Sequence, residues 1–283
     1  MMLVFGQTGQ VARAFQVLAP EALYLGREAA DLMNPEACAA AIRAAKPDVV
    51  INAAAWTAVD KAETEEAAAT QVNGAAPSAM AEACAALAIP FVHISTDYVF
   101  DGSGEAPFAV DAPTAPLGAY GRSKLAGEEG VRAAGGCHAI LRTSWVVSAD
   151  GTNFVKTMLR LSETREKLTI VADQIGGPTP ARAIAVACLE IARQLSENPA
   201  KSGTYHFSGA PDVSWADFAR EIFVQAGRTT VVEDIPSSAY PTPARRPANS
   251  RLDCSRTAEV FGINRPNWKT GLSEILKILE GAK

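Results

Sequence analysis

A tyrosine and a lysine at helical spacing are the residues of this chain best suited to chemistry. Tyr120 precedes Lys124 by four positions, so in a helix the phenol and the ammonium share one face, one turn apart. A free phenol titrates near pH ~10, and lowering its pKa to ~7 requires about 4 kcal/mol of preferential stabilisation of the phenolate. A nearby cation in a partly dry site supplies an effect of this size. We therefore interpret Tyr120 as a candidate general acid; the alternative is a solvated helix face.

A glycine-containing turn near the N-terminus is a candidate dinucleotide site. Residues 2–5 form an apolar run that predicts a short buried strand. After it, Gly6 permits a tight turn, Gly9 lets the backbone approach a pyrophosphate, and Ala12 lets the next helix pack closely on the sheet. The backbone N–H groups at the start of that helix favour anionic oxygens. Gln10 and Val11 lie between Gly9 and Ala12 in this segment. The alternative is a turn without a ligand.

Polar side chains follow another apolar run. Residues 90–94 predict a buried strand, and Ser95, Thr96 and Asp97 come directly after it. In open α/β sheets ligands bind beyond the carboxyl ends of the strands, so we expect these side chains to project into that crevice, beside the helix of Tyr120. The alternative is a strand end closed by polar turn residues.

Strand and helix patterns alternate along the chain. The predicted strands are 2–5, 23–25, 48–51, 90–94, 138–141, 168–171 and 203–207. The predicted helices are 35–45, 67–87, 120–134, 154–161, 180–195, 215–226 and 271–279. This series predicts an α/β fold, a Rossmann-like doubly wound parallel sheet with a smaller C-terminal α/β domain.

Composition favours a cytoplasmic enzyme. A chain of 283 residues that is 48% hydrophobic can bury a large core, as one large or two unequal domains. No stretch approaches the ~20 apolar residues of a membrane helix. The five cysteines are scattered, which predicts reduced, structural thiols, and the three histidines share no ligand spacing, so we expect no histidine metal site. The net charge of −5 argues against non-specific nucleic-acid binding.

The residue after the second predicted strand bears on the choice of nicotinamide cofactor. A carboxylate there accepts the ribose hydroxyls of NAD, whereas an arginine meets the additional phosphate of NADP. This chain has Arg27. We therefore predict NADPH, with NADH as the alternative if Arg27 is only a solvated loop residue.

Four motifs in this order resemble the extended short-chain dehydrogenase/reductase superfamily. They are Gly6-x-x-Gly9-x-x-Ala12, Asn52-Ala-Ala-Ala55, Ser95-Thr-Asp97 and Tyr120-x-x-x-Lys124. Longer runs resemble, within that superfamily, the dTDP-4-dehydrorhamnose reductase family. These runs are Asn52 to Glu63, Ser95 to Gly102, Leu141 to Trp145, Asp173 to Thr179 and Arg246 to Leu252. The resemblance implies reduction of the 4-keto group of dTDP-4-dehydro-β-L-rhamnose by NADPH, a step in dTDP-rhamnose and cell-surface polysaccharide biosynthesis.

The resemblance also assigns a cofactor-binding set. It places Asp31 and Leu32 beside the adenine, and it gives Lys124 a hydrogen bond to the nicotinamide ribose in addition to its effect on Tyr120. Small residues after the third strand pass under the cofactor. The full set is Gly6, Gly9, Gln10, Val11, Arg27, Asp31, Leu32, Ala53, Ala54, Ala55, Tyr120 and Lys124.

The expected catalytic residues are Tyr120, Lys124 and Thr96. Tyr120 would donate a proton to the carbonyl oxygen as hydride reaches the carbonyl carbon, and Thr96 would hydrogen-bond the same oxygen. Related dehydratases carry a glutamate where this chain has Tyr98. Simple carbonyl reduction is therefore expected, and epimerisation stays open.

The expected substrate-binding residues come from several segments. Trp145 matches a family position that packs on the sugar, although a core tryptophan is the alternative. Arg246 and Arg251 lie in a family-like run and would bind the diphosphate and thymidine. The full set is Thr96, Asp97, Tyr120, Trp145, Arg246 and Arg251.

The resemblance further implies a division of the chain. The NADP-binding domain would comprise 1–150 and 178–206, and the substrate-binding domain 151–177 and 207–283. Some relatives bind magnesium at a dimer contact, but residues 180–185 lack the glutamate expected there. This argues against the metal and that dimer, and leaves open whether the protein is a monomer or a homodimer.

A non-catalytic function is an alternative. The regulatory beta subunit of methionine adenosyltransferase resembles the same family and binds NADP as a partner protein. A reductase or epimerase of another sugar nucleotide is a further alternative.

Overall fold

A computed structural model describes residues 1–281. The strands are β1 (Met2–Phe5), β2 (Leu23–Leu25), β3 (Val49–Asn52), β4 (Phe91–Thr96), β5 (His138–Thr143), β6 (Val146–Val147), β7 (Lys167–Val171), β8 (Ile175–Gly176), β9 (Thr179–Pro180), β10 (Gly203–His206), β11 (Val213–Ser214), β12 (Val231–Ile235) and β13 (Asn249–Ser250). The α-helices are α1 (Gln10–Leu18), α2 (Pro35–Ala45), α3 (Val59–Ala62), α4 (Glu66–Thr70), α5 (Ala76–Ala86), α6 (Ala119–Ala133), α7 (Phe154–Ser162), α8 (Ala181–Glu197), α9 (Trp215–Gln225), α10 (Ser255–Phe261) and α11 (Trp268–Gly281).

The main sheet has six parallel strands in the order β10-β5-β4-β3-β1-β2. From β1 the chain forms β2 on one side and β3 on the other, so the winding direction reverses beside β1. Phe5 pairs with Asn52, and Thr96 pairs with Thr143, so the carboxyl ends of four central strands meet at one edge. The predicted doubly wound parallel sheet is confirmed.

Both faces of this sheet are covered, which explains the nearly continuous apolar character of its strands. Val4 belongs to a core cluster with α1 and α8, whereas Leu3 and Phe5 belong to a cluster with α2 and α5. Neighbouring residues of one strand point to opposite faces, so each core receives every second side chain.

The helix that carries Tyr120 packs unusually close to the end of β4. A Cβ at Gly121 would collide with the carbonyl oxygen of Tyr98, so glycine permits this approach.

The predicted helix 67–87 is a continuous helical segment, but one π-helical turn at Gln71–Ala75 separates α4 from α5. Asn73 lies in that turn, and its amide donates to Ser123 Oγ of α6 at 2.9 Å.

A smaller apolar cluster lies in the C-terminal half. It joins α7, α9 and α11 around buried residues such as Phe218 and Trp268. Beside it, β7 and β12 form a parallel two-stranded sheet. The division at 150, 177 and 206 remains a prediction, and its last residues, 282–283, lie outside the described part of the chain.

Candidate active site

A cleft of about 1100 Å³ opens at the carboxyl edge of the main sheet. Open α/β sheets bind ligands at this edge, next to the point where the strand order reverses. The predicted site residues that line it are Gly6, Gly9, Gln10, Val11, Arg27, Asp31, Leu32, Ala53, Ala54, Ala55, Thr96, Asp97, Tyr120, Lys124 and Trp145. The cleft therefore gathers residues from segments far apart in the sequence. Arg246 and Arg251 are not among its lining residues.

The turn between β1 and α1 is shaped to accept an anion. Gly6 has a φ of +118°, a conformation that favours glycine, and a Cβ there would lie 3.3 Å from Ala12 Cβ. Around Gly9 the space is open, since a Cβ there would meet no atom within 4 Å. The N-cap residue of α1 is Gly9, which has no side chain to cap the helix, and the first turn of α1 contains no acidic residue. The N–H groups at the start of the helix therefore remain available to a phosphate.

The far end of the cleft lies beyond β2. Arg27 is exposed there, and Leu32 packs at the margin of the α2 and α5 core. The Asp31 carboxylate accepts a hydrogen bond from Met33 N at 3.0 Å. Beside the glycine turn, the N–H of Ala53 donates to Phe5 O at 3.0 Å, which holds the small residues after β3 against that turn.

Thr96, Tyr120 and Lys124 meet on the wall between β4 and α6. The ring of Tyr120 packs edge-on against Tyr98, with the ring centroids 5.4 Å apart. Lys124 is only 2% exposed. Its Nζ donates to Ile94 O at 2.7 Å, so the ammonium is anchored to the β4 backbone.

Burial raises the pKa of Tyr120 to about 12. A hydrogen bond with the Thr96 side chain lowers this pKa, and the charge of Asp97 raises it. The sequence argument expected Lys124 to lower the pKa of the phenol. Burial raises that pKa instead, and Lys124 is not among the groups that change it, so the effect of Lys124 on Tyr120 stays a prediction. Burial also lowers the pKa of Lys124 to about 8, against the opposing charge of Glu128.

Asp97 is buried beside Thr96 and Tyr120. Its Oδ1 accepts a hydrogen bond from Thr96 Oγ1 at 3.0 Å. Burial raises the pKa of this carboxyl to about 6, although the Ser250 and Thr96 side chains lower it. Asp97 therefore titrates nearer to neutrality than an exposed aspartate does.

Trp145 lines the cleft from the short connection between β5 and β6. It is a non-glycine residue with a positive φ of 47°, a strained conformation for a bulky side chain. Its carbonyl accepts a hydrogen bond from Thr179 N at 3.0 Å, and its ring stacks on Trp215 with centroids 3.6 Å apart. These contacts fix the indole at the cleft.

The two arginines predicted to bind the substrate are engaged elsewhere. Arg246 Nη2 donates to Asp60 Oδ2 at 2.8 Å. Arg251 Nη1 donates to Asn249 Oδ1 at 3.1 Å. Their proposed roles therefore remain predictions, and Arg246 has an existing ion pair to exchange for a phosphate contact.

A buried ion pair behind the site was not predicted from the sequence. The Glu128 carboxylate accepts hydrogen bonds from Arg142 Nε at 2.9 Å and Nη2 at 2.7 Å. It also accepts from Ser95 Oγ at 2.6 Å, next to Thr96. The sequence does contain one signal for Glu128: Tyr120, Lys124 and Glu128 follow one another at intervals of four, which places all three on one face of the helix.

Two classes of feature are not found among residues 1–281. In that range no three or more His, Cys, Asp or Glu side chains form a group suited to hold a metal ion. Within the same range, no helix has both the length and the apolar character required to cross a membrane.

The parallel sheet, the glycine turn and the Tyr-x-x-x-Lys pair at the crevice define an extended short-chain dehydrogenase/reductase. The family model described as RmlD substrate binding domain matches residues 1–280. A dTDP-4-dehydrorhamnose reductase from Sinorhizobium fredii is 46% identical over 99% of this chain and 98% of its own length. The chain therefore belongs to the dTDP-4-dehydrorhamnose reductase family.

Solved structures agree with this assignment. A dTDP-4-dehydrorhamnose reductase from Clostridium acetobutylicum has a TM-score of 0.91 and 34% identity, with 99% of both chains covered. A Bacillus anthracis dTDP-4-dehydrorhamnose reductase in complex with NADP has a TM-score of 0.90 and 32% identity, with 98% of both chains covered.

Proposed function

We propose that this protein reduces the 4-keto group of dTDP-4-dehydro-β-L-rhamnose to give dTDP-L-rhamnose, with NADPH as the reductant. The observation that carries the proposal is that Thr96, Tyr120 and Lys124 line the same cleft as the open glycine turn. The nearly full-length similarity to reductases of this name supports the choice of substrate.

The cleft fits a dinucleotide. The uncapped N-terminus of α1 and the open space at Gly9 suit a pyrophosphate, and a Cβ at Gly6 would narrow the turn. Ala53, Ala54 and Ala55 would lie beneath the cofactor, Asp31 and Leu32 beside its adenine, and Lys124 against its ribose. When bound, the reduced nicotinamide supplies the hydride.

The residues of the chain supply the proton and orient the ketone. Tyr120 donates its phenolic proton to the carbonyl oxygen, and Thr96 hydrogen-bonds that oxygen and fixes its orientation. The ammonium of Lys124 stabilises the phenolate that remains. Trp145 offers an apolar face to the deoxysugar, with Asp97 nearby, and Arg246 and Arg251 would bind the nucleotide diphosphate.

The direct test is NADPH oxidation on addition of dTDP-4-dehydrorhamnose, with identification of the sugar product. We expect stoichiometric formation of dTDP-L-rhamnose. NADPH binding without turnover would contradict the proposal and favour the regulatory alternative. Other keto-sugar nucleotides in the same assay measure specificity.

A cytoplasmic location and a monomeric or homodimeric state remain predictions.

Arg27 provides a prediction about cofactor preference. Its exposed guanidinium lies at the far end of the cleft, where the additional phosphate of NADPH would lie. We expect Arg27→Ala to raise the KM for NADPH by about tenfold, the scale of one charge-assisted hydrogen bond, and to leave the KM for NADH nearly unchanged. Steady-state kinetics with both cofactors measures this.

Arg43→Ala is the matched control, because Arg43 pairs with Glu36 on the outer surface. Equal losses for NADPH and NADH in Arg27→Ala would contradict a role in recognising the phosphate.

A further inference from the structure

The amide of Asn52 has a defined orientation. Its Oδ1 accepts a hydrogen bond from Ala54 N at 3.1 Å. The reverse orientation would set an NH₂ group against this N–H, which leaves two donors facing each other. The Asn52 NH₂ group must therefore face His93 Nδ1, which lies 3.1 Å away.

This orientation fixes the tautomer of His93. Because Asn52 donates to Nδ1, that nitrogen carries the lone pair and Nε2 carries the hydrogen. The ring is fully buried, and burial together with the charge of Lys124 lowers its pKa well below the usual value. His93 therefore stays neutral, with one N–H available at Nε2.

The Nε2–H of His93 faces Lys124, whose Nζ lies 3.4 Å away. An ammonium has no lone pair to accept this hydrogen, whereas a neutral amine has one. The same Nζ already donates to Ile94 O. The imidazole dipole therefore favours the amine over the ammonium.

The other ionisable groups around Lys124 lie on its own helix and on the neighbouring strands. Glu128 of α6 favours the ammonium, but Arg142 from β5 and Arg132 neutralise much of its charge. Asp97, in the turn after β4, acts on Tyr120. The Nε2–H of His93 is thus the group that opposes the ammonium directly.

We propose that Asn52 and His93 are positioning residues that set the acidity of Lys124 by presenting an imidazole N–H to its amine. Burial acts in the same direction, since it lowers the pKa of Lys124 to about 8. Given the proposed function, the Lys124 ammonium assists Tyr120, so kcat/KM falls as pH rises through this pKa. The tautomer of a buried histidine then determines the alkaline limit of activity.

Asn52→Asp tests the proposal with little change in shape. The carboxylate accepts from Ala54 N–H and also from His93 Nδ1–H, so Nε2 becomes an acceptor. We expect the pKa of Lys124 to rise by about one unit or more, and the alkaline limb of kcat/KM to move equally. Lysine ε-¹³C NMR of the ligand-free protein measures this pKa, with the signal assigned through Lys124→Met. Imidazole ¹⁵N shifts report the tautomer.

His93→Asn is a second variant, since it retains an acceptor for Asn52 but removes the group that faces Lys124. We expect the pKa of Lys124 to rise by about half a unit. His138→Asn, at the start of β5 and away from Lys124, is the matched control and should leave it unchanged.

An Nδ1–H tautomer in the unmodified protein would overturn the proposal, as would unchanged Lys124 titration in both variants. The lysine ¹³C and imidazole ¹⁵N measurements require no substrate. They would therefore still test this proposal if the proposed reaction were not observed.

Discussion

Tyr120→Phe is expected to lower kcat by about a thousandfold, within the range attributed to a general acid, while NADPH binds with unchanged affinity. The ring of phenylalanine retains the edge-on packing against Tyr98, so the helix and the cleft keep their shape. Only the hydroxyl that donates to the ketone is lost. Single-turnover NADPH oxidation measures the chemical step, and fluorescence titration measures NADPH binding.

Tyr205→Phe is the control for the loss of a buried phenol. Its hydroxyl donates to Lys201 O at 2.5 Å, outside the cleft. We expect this variant to turn over normally. Full activity in Tyr120→Phe would show that another group supplies the proton, and Asp97, whose pKa is raised to about 6, would then be the first group to test.

The sheet and much of the cleft could be predicted because they depend on local sequence. The apolar runs of a parallel sheet are buried on both faces, and the polar residues that end them meet at one edge. Gly6, Thr96 and Tyr120 therefore reach the same cleft. The family resemblance adds Asp31 and Leu32, which line the cleft although their own chemistry gives no signal.

Features that depend on packing between distant segments could not be predicted. The raised pKa of Tyr120 results from burial, which no helical spacing encodes. The stack of Trp145 on Trp215 joins residues 70 positions apart. Arg246 forms an ion pair with Asp60, which is still more distant in the sequence. His93 shows no ligand pattern in the sequence because its partners come from β3 and α6.

The ion pair between Glu128 and Arg142 connects the elements that position the site. Glu128 lies one turn beyond Lys124 in α6, and Arg142 lies in β5, beside β4. Arg142 also donates to Val110 O at 3.1 Å, and its guanidinium lies 4.9 Å from the ring centroid of Phe100. Burial acts to raise the pKa of Glu128, but the hydrogen bonds and charge of Arg142, with Ser95 and Arg132, lower it. The carboxylate therefore stays charged inside the core.

Arg142→Met is expected to lower the free energy of unfolding by about 3–5 kcal/mol, because it leaves the Glu128 carboxylate buried without its main partner. The side chain of Glu128 is 0% exposed and that of Arg142 is 3% exposed, so water cannot replace the lost hydrogen bonds. Urea denaturation followed by circular dichroism measures the change.

The double variant Glu128→Gln/Arg142→Met separates the two contributions to this loss. The double variant removes both charges. We therefore expect it to recover part of the stability lost in Arg142→Met, although it carries one more substitution than that variant. Arg193→Met is the matched control, since Arg193 also contacts two carboxylates but does so on the surface, and it should change stability little. If Arg142→Met proved as stable as Arg193→Met, the buried pair would not be what holds β4, β5 and α6 in register behind Thr96 and Lys124.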